Sequence, residues 1–180
     1  MRNLILALLL LAAGVPVAEV TFPNHDHAAD PTGRRDVVYR ELDYESGQDP
    51  HELSLLDLRS GERRRLLTFG RHAAVLWSSD GNSLAITDWG GSDVSTVYVF
   101  LAESTQGPVD LDEELTRTFG PLPELKKNHH VYLEAVRWQN ARTLRFRLSG
   151  YGDHDQNGFD ELFDYSLGGK IRRAGGARPR

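Results

Sequence analysis

Residues 53–88 read LSLLDLRSGERRRLLTFGRHAAVLWSSDGNSLAITD. With Glu52 in front, the stretch divides into short apolar runs, Glu52–Leu58, Arg65–Phe69, Ala74–Trp77 and Leu84–Asp88. Runs of this length bounded by turn residues read as strands, because an amphipathic helix needs a longer apolar period. Between the runs stand Arg59–Gly61 and Ser79-Asp80-Gly81-Asn82, whose glycines supply the positive φ that a tight reversal demands. The predicted product is an antiparallel meander.

The same grammar extends in both directions. Upstream, Asp36–Tyr44 (DVVYRELDY) pairs with Glu52–Leu58 as a hairpin across the turn-rich ESGQDPH. Downstream, Trp89-Gly90-Gly91-Ser92 turns the chain into a strand over Val94–Leu101. After Gly107-Pro108 the pattern changes. Acidic residues open the segment 111–127 and Lys126-Lys127 close it, with Leu111, Leu115 and Phe119 at helical spacing. This polarity suits a helix dipole and predicts one short helix over Leu111–Thr118. Strands resume at Val131–Trp138, Thr143–Ser149 and Phe159–Leu167, and Gly168-Gly169 leads into a last short one. The fold class is therefore mostly β, with one helical insert. Its expected boundaries are a leader over residues 1–18, a flexible polar arm over 19–35, one β domain over 36–173 and a disordered tail over 174–180.

Met1–Ala18 carries Arg2, an apolar run from Leu4 to Ala13, and then small residues. This is the pattern of a secretory signal peptide cut after Gly14 or Ala18, and Gly14, Pro16 and Glu19 break the run before it reaches membrane-spanning length. The expected location is periplasmic or secreted. The 180 residues contain no cysteine, so neither a disulfide framework nor a lipidated N-terminal cysteine is available. One domain of this size buries enough surface without such staples. The formal charge of −5 argues against nucleic acid or an anionic membrane as partner. Arg63-Arg64-Arg65 and Arg172-Arg173 are local exceptions, read as solvated strand ends.

Residues 53–88 also resemble the blade repeat of TolB-like and WD40-like β-propellers. The shared order is a strand ending in Asp, a Gly turn, Leu67-Thr68, then Trp77-Ser78-Ser79-Asp80-Gly81 and a further strand. Val136-Arg137-Trp138, followed by Leu144 and Phe146, echoes it. The resemblance implies a scaffold in which Trp77 fills the space between stacked sheets, and a binding role more often than a catalytic one. Blades take about 40 residues and a closed ring at least four of them, which this chain cannot supply. Two or three propeller-like stacked sheets, or an open β-sandwich, are expected instead.

The sharpest chemical pattern is Asp153-His154-Asp155-Gln156-Asn157-Gly158-Phe159-Asp160-Glu161, which fits the start of a calcium loop. A hard cation would take oxygens from Asp153, Asp155 and Asn157, the Phe159 carbonyl, and Asp160 or Glu161. Position twelve is Asp164, and in a strand it would stand roughly 16 Å beyond Phe159, so an EF-hand is not expected. The alternative is that Asn157-Gly158 is a hairpin turn. His25, His27 and Asp30 offer an incomplete zinc or copper set, and His129, His130 and Glu134 another.

No Gly-x-Ser-x-Gly elbow, thiol nucleophile or phosphate-cradling loop is present in the sequence. Ser92 with His72 or His154 would need the fold to gather them. Trp89 and Tyr151, each beside glycine, are candidates for exposed partner-binding aromatics. The expected function is an exported, non-enzymatic module that binds a protein partner, with Ca2+ as its candidate ion, the alternative being a metal-assisted hydrolase built on the 153–161 loop.

Overall fold

The computed structural model describes residues 17–43, 49–121, 130–152 and 155–175, apart from the side chains of 155 and 156. In chain order the strands are β1 (Val20–Phe22), β2 (His27–Ala29), β3 (Arg35–Glu41), β4 (His51–Asp57), β5 (Arg63–Phe69), β6 (His72–Trp77), β7 (Ser83–Trp89), β8 (Val94–Leu101) and β9 (Val109–Asp110). After α1 (Leu111–Phe119) come β10 (His130–Asn140), β11 (Thr143–Gly152), β12 (Asp155–Ser166) and β13 (Lys170–Arg173).

These strands form three successive antiparallel meanders, β2–β5, β6–β9 and β10–β13. β1 adds to the free side of β6, and a short parallel pairing of Val131 with Val94 and Tyr132 with Ser95 joins the second meander to the third. Two apolar cores separate the three layers. Phe22, Val37, Leu53 and Phe69 meet Ala73, Val75, Trp77, Leu84 and Ile86 in one. Leu76, Ala85, Val97 and Val99 meet Leu133, Phe146, Phe163, Tyr165 and the helix residues Leu111 and Leu115 in the other.

The middle sheet is thus covered on both faces, which is why β6 reads as an unbroken apolar run, Ala73 to Trp77. The outer sheets alternate. In β11, Leu144, Phe146 and Leu148 are buried while Arg145 and Arg147 face out. Fully burying such a side chain contributes about 1.5–3 kcal/mol.

The sheets are joined by a repeated device. The Trp77 indole N–H donates to the Ala28 carbonyl at 2.9 Å, and the Trp138 indole N–H donates to the Leu76 carbonyl at 3.0 Å. Ala28 and Leu76 hold equivalent places, each two residues before a tight turn. In those turns Asp30 N–H donates to Arg35 O (2.9 Å) and Ser78 N–H to Ser83 O (2.8 Å), with Gly33 and Gly81 both at φ +68°.

The helix forms where predicted and runs one residue longer. Asp110 caps it by accepting from the Asp112 and Glu113 N–H groups, and Gly120 at φ +74° ends it by donating to Thr116 O. The basic clusters Arg63–Arg65 and Lys170–Arg173 both sit on outermost strands, where charge discourages pairing with a further chain.

One expectation is corrected. The segment 19–35 is not a loose arm, since β1 pairs with β6 (Val20 with Val75), β2 pairs with β3, and Phe22, Ala28 and Asp30 are buried. Asp30 organises the turn that follows, accepting from Thr32 N–H (2.6 Å), Thr32 Oγ1–H (2.8 Å), Arg34 N–H (3.2 Å) and Arg35 N–H (3.1 Å). Strands this short show no alternation of their own.

Candidate binding surface

Trp89 ends β7, Tyr151 lies near the end of β11, and both fall at the end of their sheets where β8 and β10 begin. Each is paired across the ladder with a histidine: Trp89 with His72 and Tyr151 with His130. Both pairs stack. The His72 and Trp89 ring centroids lie 4.4 Å apart at 17°, those of His130 and Tyr151 4.3 Å apart at 11°. Tyr132 joins the second pair, 6.3 Å from each ring, and its hydroxyl donates to Ser92 O at 2.9 Å. Val131 N–H donates to Asp93 O at 3.0 Å. The turn that follows Trp89 is therefore tied by two bonds to the strand that carries His130 and Tyr132.

Tyr151 remains 49% exposed although its ring is held flat against His130. The result is an aromatic plate that is stacked on its histidine partner and still exposed. Trp89 is half-buried, so it is less a loop tip than the sequence suggested. Burial, with Arg71 beside it, holds the His72 imidazole below its usual range, which favours the neutral ring in that stack. The sequence offers His72 only beside Ser92 in a hydrolytic set and His130 only in a metal set; their stacking on Trp89 and Tyr151, and Tyr132, were missed, and the only signal for them is a histidine opening each strand that leads the hairpin.

The described part of the 153–161 stretch, from Asp155 onward, pairs with β11 beside this plate. β11 and β12 pair as far as Gly152 opposite Asp155; Asp153 and His154, and the side chain of Asp155, lie outside the described residues. Asn157-Gly158 is not the hairpin turn. Gly150 pairs with Phe159 and Gly152 with Asp155, so residues 156–158 form a bulge opposite Tyr151. Gly158 has φ +57°, and a Cβ there would stand 2.1 Å from the Gly150 carbonyl oxygen, so only glycine fits. Asn157 is exposed, while Phe159 packs on the core of the third sheet.

Asp160 and Glu161 point to opposite faces. Asp160, opposite Ser149, accepts from Arg147 Nε and Nη2 at 2.8 and 2.7 Å, a bidentate pair that holds its carboxyl below the usual range. Glu161, opposite Leu148, faces Arg173 at 3.3 Å. Among the described residues no group of three or more His, Asp or Glu side chains converges as a metal set.

The other histidines are dispersed. His25 meets Thr21 O, His27 meets Asp36 at 3.1 Å, and Asp30 is occupied by its turn. His130 lies in its stack, while Glu134 faces Arg147 at 3.8 Å. His129 and His154 lie outside the described residues. Ser92 contributes its carbonyl to Tyr132, and His72 is engaged with Trp89.

Asp88 lies one residue before Trp89, opposite Ala73 of the first core. Its Oδ1 is buried without a hydrogen-bond partner, and burial, with the Asp49 carboxylate adding repulsion, pushes its carboxyl up to about 6.

The outer face of the third sheet is a lattice of charges. Asp164 accepts from Arg145 at 2.9 and 3.2 Å and faces Arg172 at 3.6 Å, beside the Arg147–Asp160 pair. Such a face does not accept a fourth apolar sheet. No family model matches the chain, and no curated protein is found to be similar to it.

Proposed function

We propose that the chain is an exported, non-enzymatic binding module that holds a protein partner at the aromatic end of its sheets. The observation that carries this reading is the Tyr151 ring, 49% exposed yet stacked on His130. An aromatic plate already immobilised loses little conformational freedom when a partner covers it, and buried aromatics are frequent energetic centres of interfaces. The signal-like residues 1–18 support export to the periplasm or beyond. The repeated indole bond between stacked meanders supports a scaffold akin to propeller blades. A calcium ion bound through Asp153, Asp155 and Asn157 would stiffen the hairpin beside the plate. With Asp160 and Glu161 engaged by arginines, any such ion would depend on those three and on backbone carbonyls.

The test compares baits. The leaderless protein and its Tyr151→Ser/His130→Ser variant, matched for melting temperature, are immobilised and exposed to the producing cell's exported proteins. The reading expects a protein retained by the first and lost from the second. Equal retention by both, or none by either at micromolar bait, contradicts it.

A further inference from the structure

The aromatic plate sits in a local excess of negative charge. Register places His130 opposite Tyr151, then Tyr132 opposite Ser149 and Ser149 opposite Asp160, then Glu134 opposite Arg147. With a side-chain period of two, these rungs share one face of the sheet. Arg147 is divided between two carboxylates there, Asp160 at 2.7 Å and Glu134 at 3.8 Å. Glu134 also faces Glu19, where partial desolvation and then this like charge push the Glu19 carboxyl up.

Asp93 adds a further charge at the same end. It is exposed and has no ion-pair partner among the described residues. Desolvation, the bond to the Tyr151 hydroxyl and the nearby Asp93 carboxylate together hold the Tyr132 hydroxyl above its usual range. The Asp93 charge, the Tyr132 hydroxyl and the Tyr151 ring are thus close neighbours.

Two exposed rings differ in what lies over them. Phe119, 39% exposed, has the Arg173 guanidinium 6.0 Å from its centroid, and the same group stands 5.8 Å from Phe163. Tyr151, 49% exposed, has no Lys or Arg over it among the described residues.

From this exposed ring beside under-compensated carboxylates we infer that the partner presents an arginine to Tyr151, its guanidinium against the exposed part of the ring and the Asp93 and Glu134 carboxylates supplying the countercharge. The inference rests on the binding reading above and names the chemistry of the segment that meets the plate. A guanidinium suits the place better than an ammonium, being planar, weakly hydrated and able to meet a carboxylate with two N–H groups. An acidic segment would be repelled by the same charges.

The probe is acetyl-Gly-Gly-Arg-Gly-Gly-amide, with citrulline in place of arginine as the uncharged control of the same shape. Each is titrated into the leaderless protein at low ionic strength while the amide resonances of Gly150 and Gly152 are followed by NMR. Saturable shifts are expected, with the arginine peptide binding about threefold tighter or more. Tyr151→Leu, which keeps apolar area and removes the ring, and Asp93→Asn should each weaken the arginine peptide about two- to fivefold and leave the citrulline peptide nearly unchanged. Equal affinity for the two peptides, or an arginine peptide indifferent to both variants, overturns the inference. Shifts caused by maltose and not by the arginine peptide, the mark of a sugar ring on the same plate, also overturn it. The Asp93→Asn protein used as immobilised bait separates this claim from the reading beneath it. A partner retained equally by that bait and by the unaltered one overturns the arginine contact and leaves the binding reading standing, whereas no partner on either bait overturns both.

Discussion

Trp77 and Trp138 join successive sheets by the same indole-to-carbonyl bond, but in unlike surroundings. Trp77 is 2% exposed, within a middle sheet packed on both faces. Trp138 is half-buried and its strand belongs to an outer sheet whose other face is charged. The interior position is determined from two sides, whereas the outer sheet has one face left free for arginine–carboxylate pairs and an aromatic end.

The largest expected effect tests this contrast. Trp77→Ala should cost about 3–5 kcal/mol in urea unfolding, as large core truncations do, and Trp138→Ala about half as much. Equal losses would break the comparison.

The two equivalent turns offer a finer contrast. Gly33 and Gly81 share φ +68°, but a Cβ at Gly81 would stand 3.0 Å from Asp30 Oδ2, while Gly33 has open space. Gly33→Ala should cost about 1 kcal/mol from the backbone alone and Gly81→Ala about 2, the excess being the contact between sheets.

Asp88 adds a pH signature. Its folded-state pKa is raised, to about 6, so the native state holds the proton more tightly than the unfolded chain. Stability from this group is greatest below about pH 4, declines as pH rises to about 6, and stays reduced above. Asp88→Asn should therefore stabilise the protein at pH 7.5 by about 1–2 kcal/mol, a figure reduced for partial solvent access, and the gain should vanish near pH 4. A gain independent of pH would exclude this cause. The smallest effect is expected on the charged face, where Arg147→Gln should change stability by less than about 1 kcal/mol, because the pair is solvent-exposed.

What was legible in the sequence was local. Asp80-Gly81 marks the β6–β7 turn, and the acidic first turn with Leu111, Leu115 and Phe119 at helical spacing marks α1, because turns and helix ends are satisfied by residues a few positions away. The strands β1 and β2 were not legible. Val20 pairs with Val75 and the Ala28 carbonyl receives an indole from Trp77, both distant in sequence.

The candidate site divides in the same way. Trp89 and Tyr151 stand out beside glycines, but their histidine partners depend on strand register, and register depends on where each hairpin turns. The 153–161 run suggested clustered oxygens, whereas Asp160 and Glu161 alternate across a strand to meet Arg147 and Arg173, a consequence of period-two geometry once that stretch pairs with β11.

The central claim, that the aromatic end and not the charged face receives a partner, is tested most directly by photo-crosslinking in the producing cell. Benzoylphenylalanine replaces Tyr151 in one variant and Leu162, exposed on the outer face, in another. The account predicts a discrete adduct with another protein from position 151 and none from position 162. An adduct from 162 with none from 151 would contradict it.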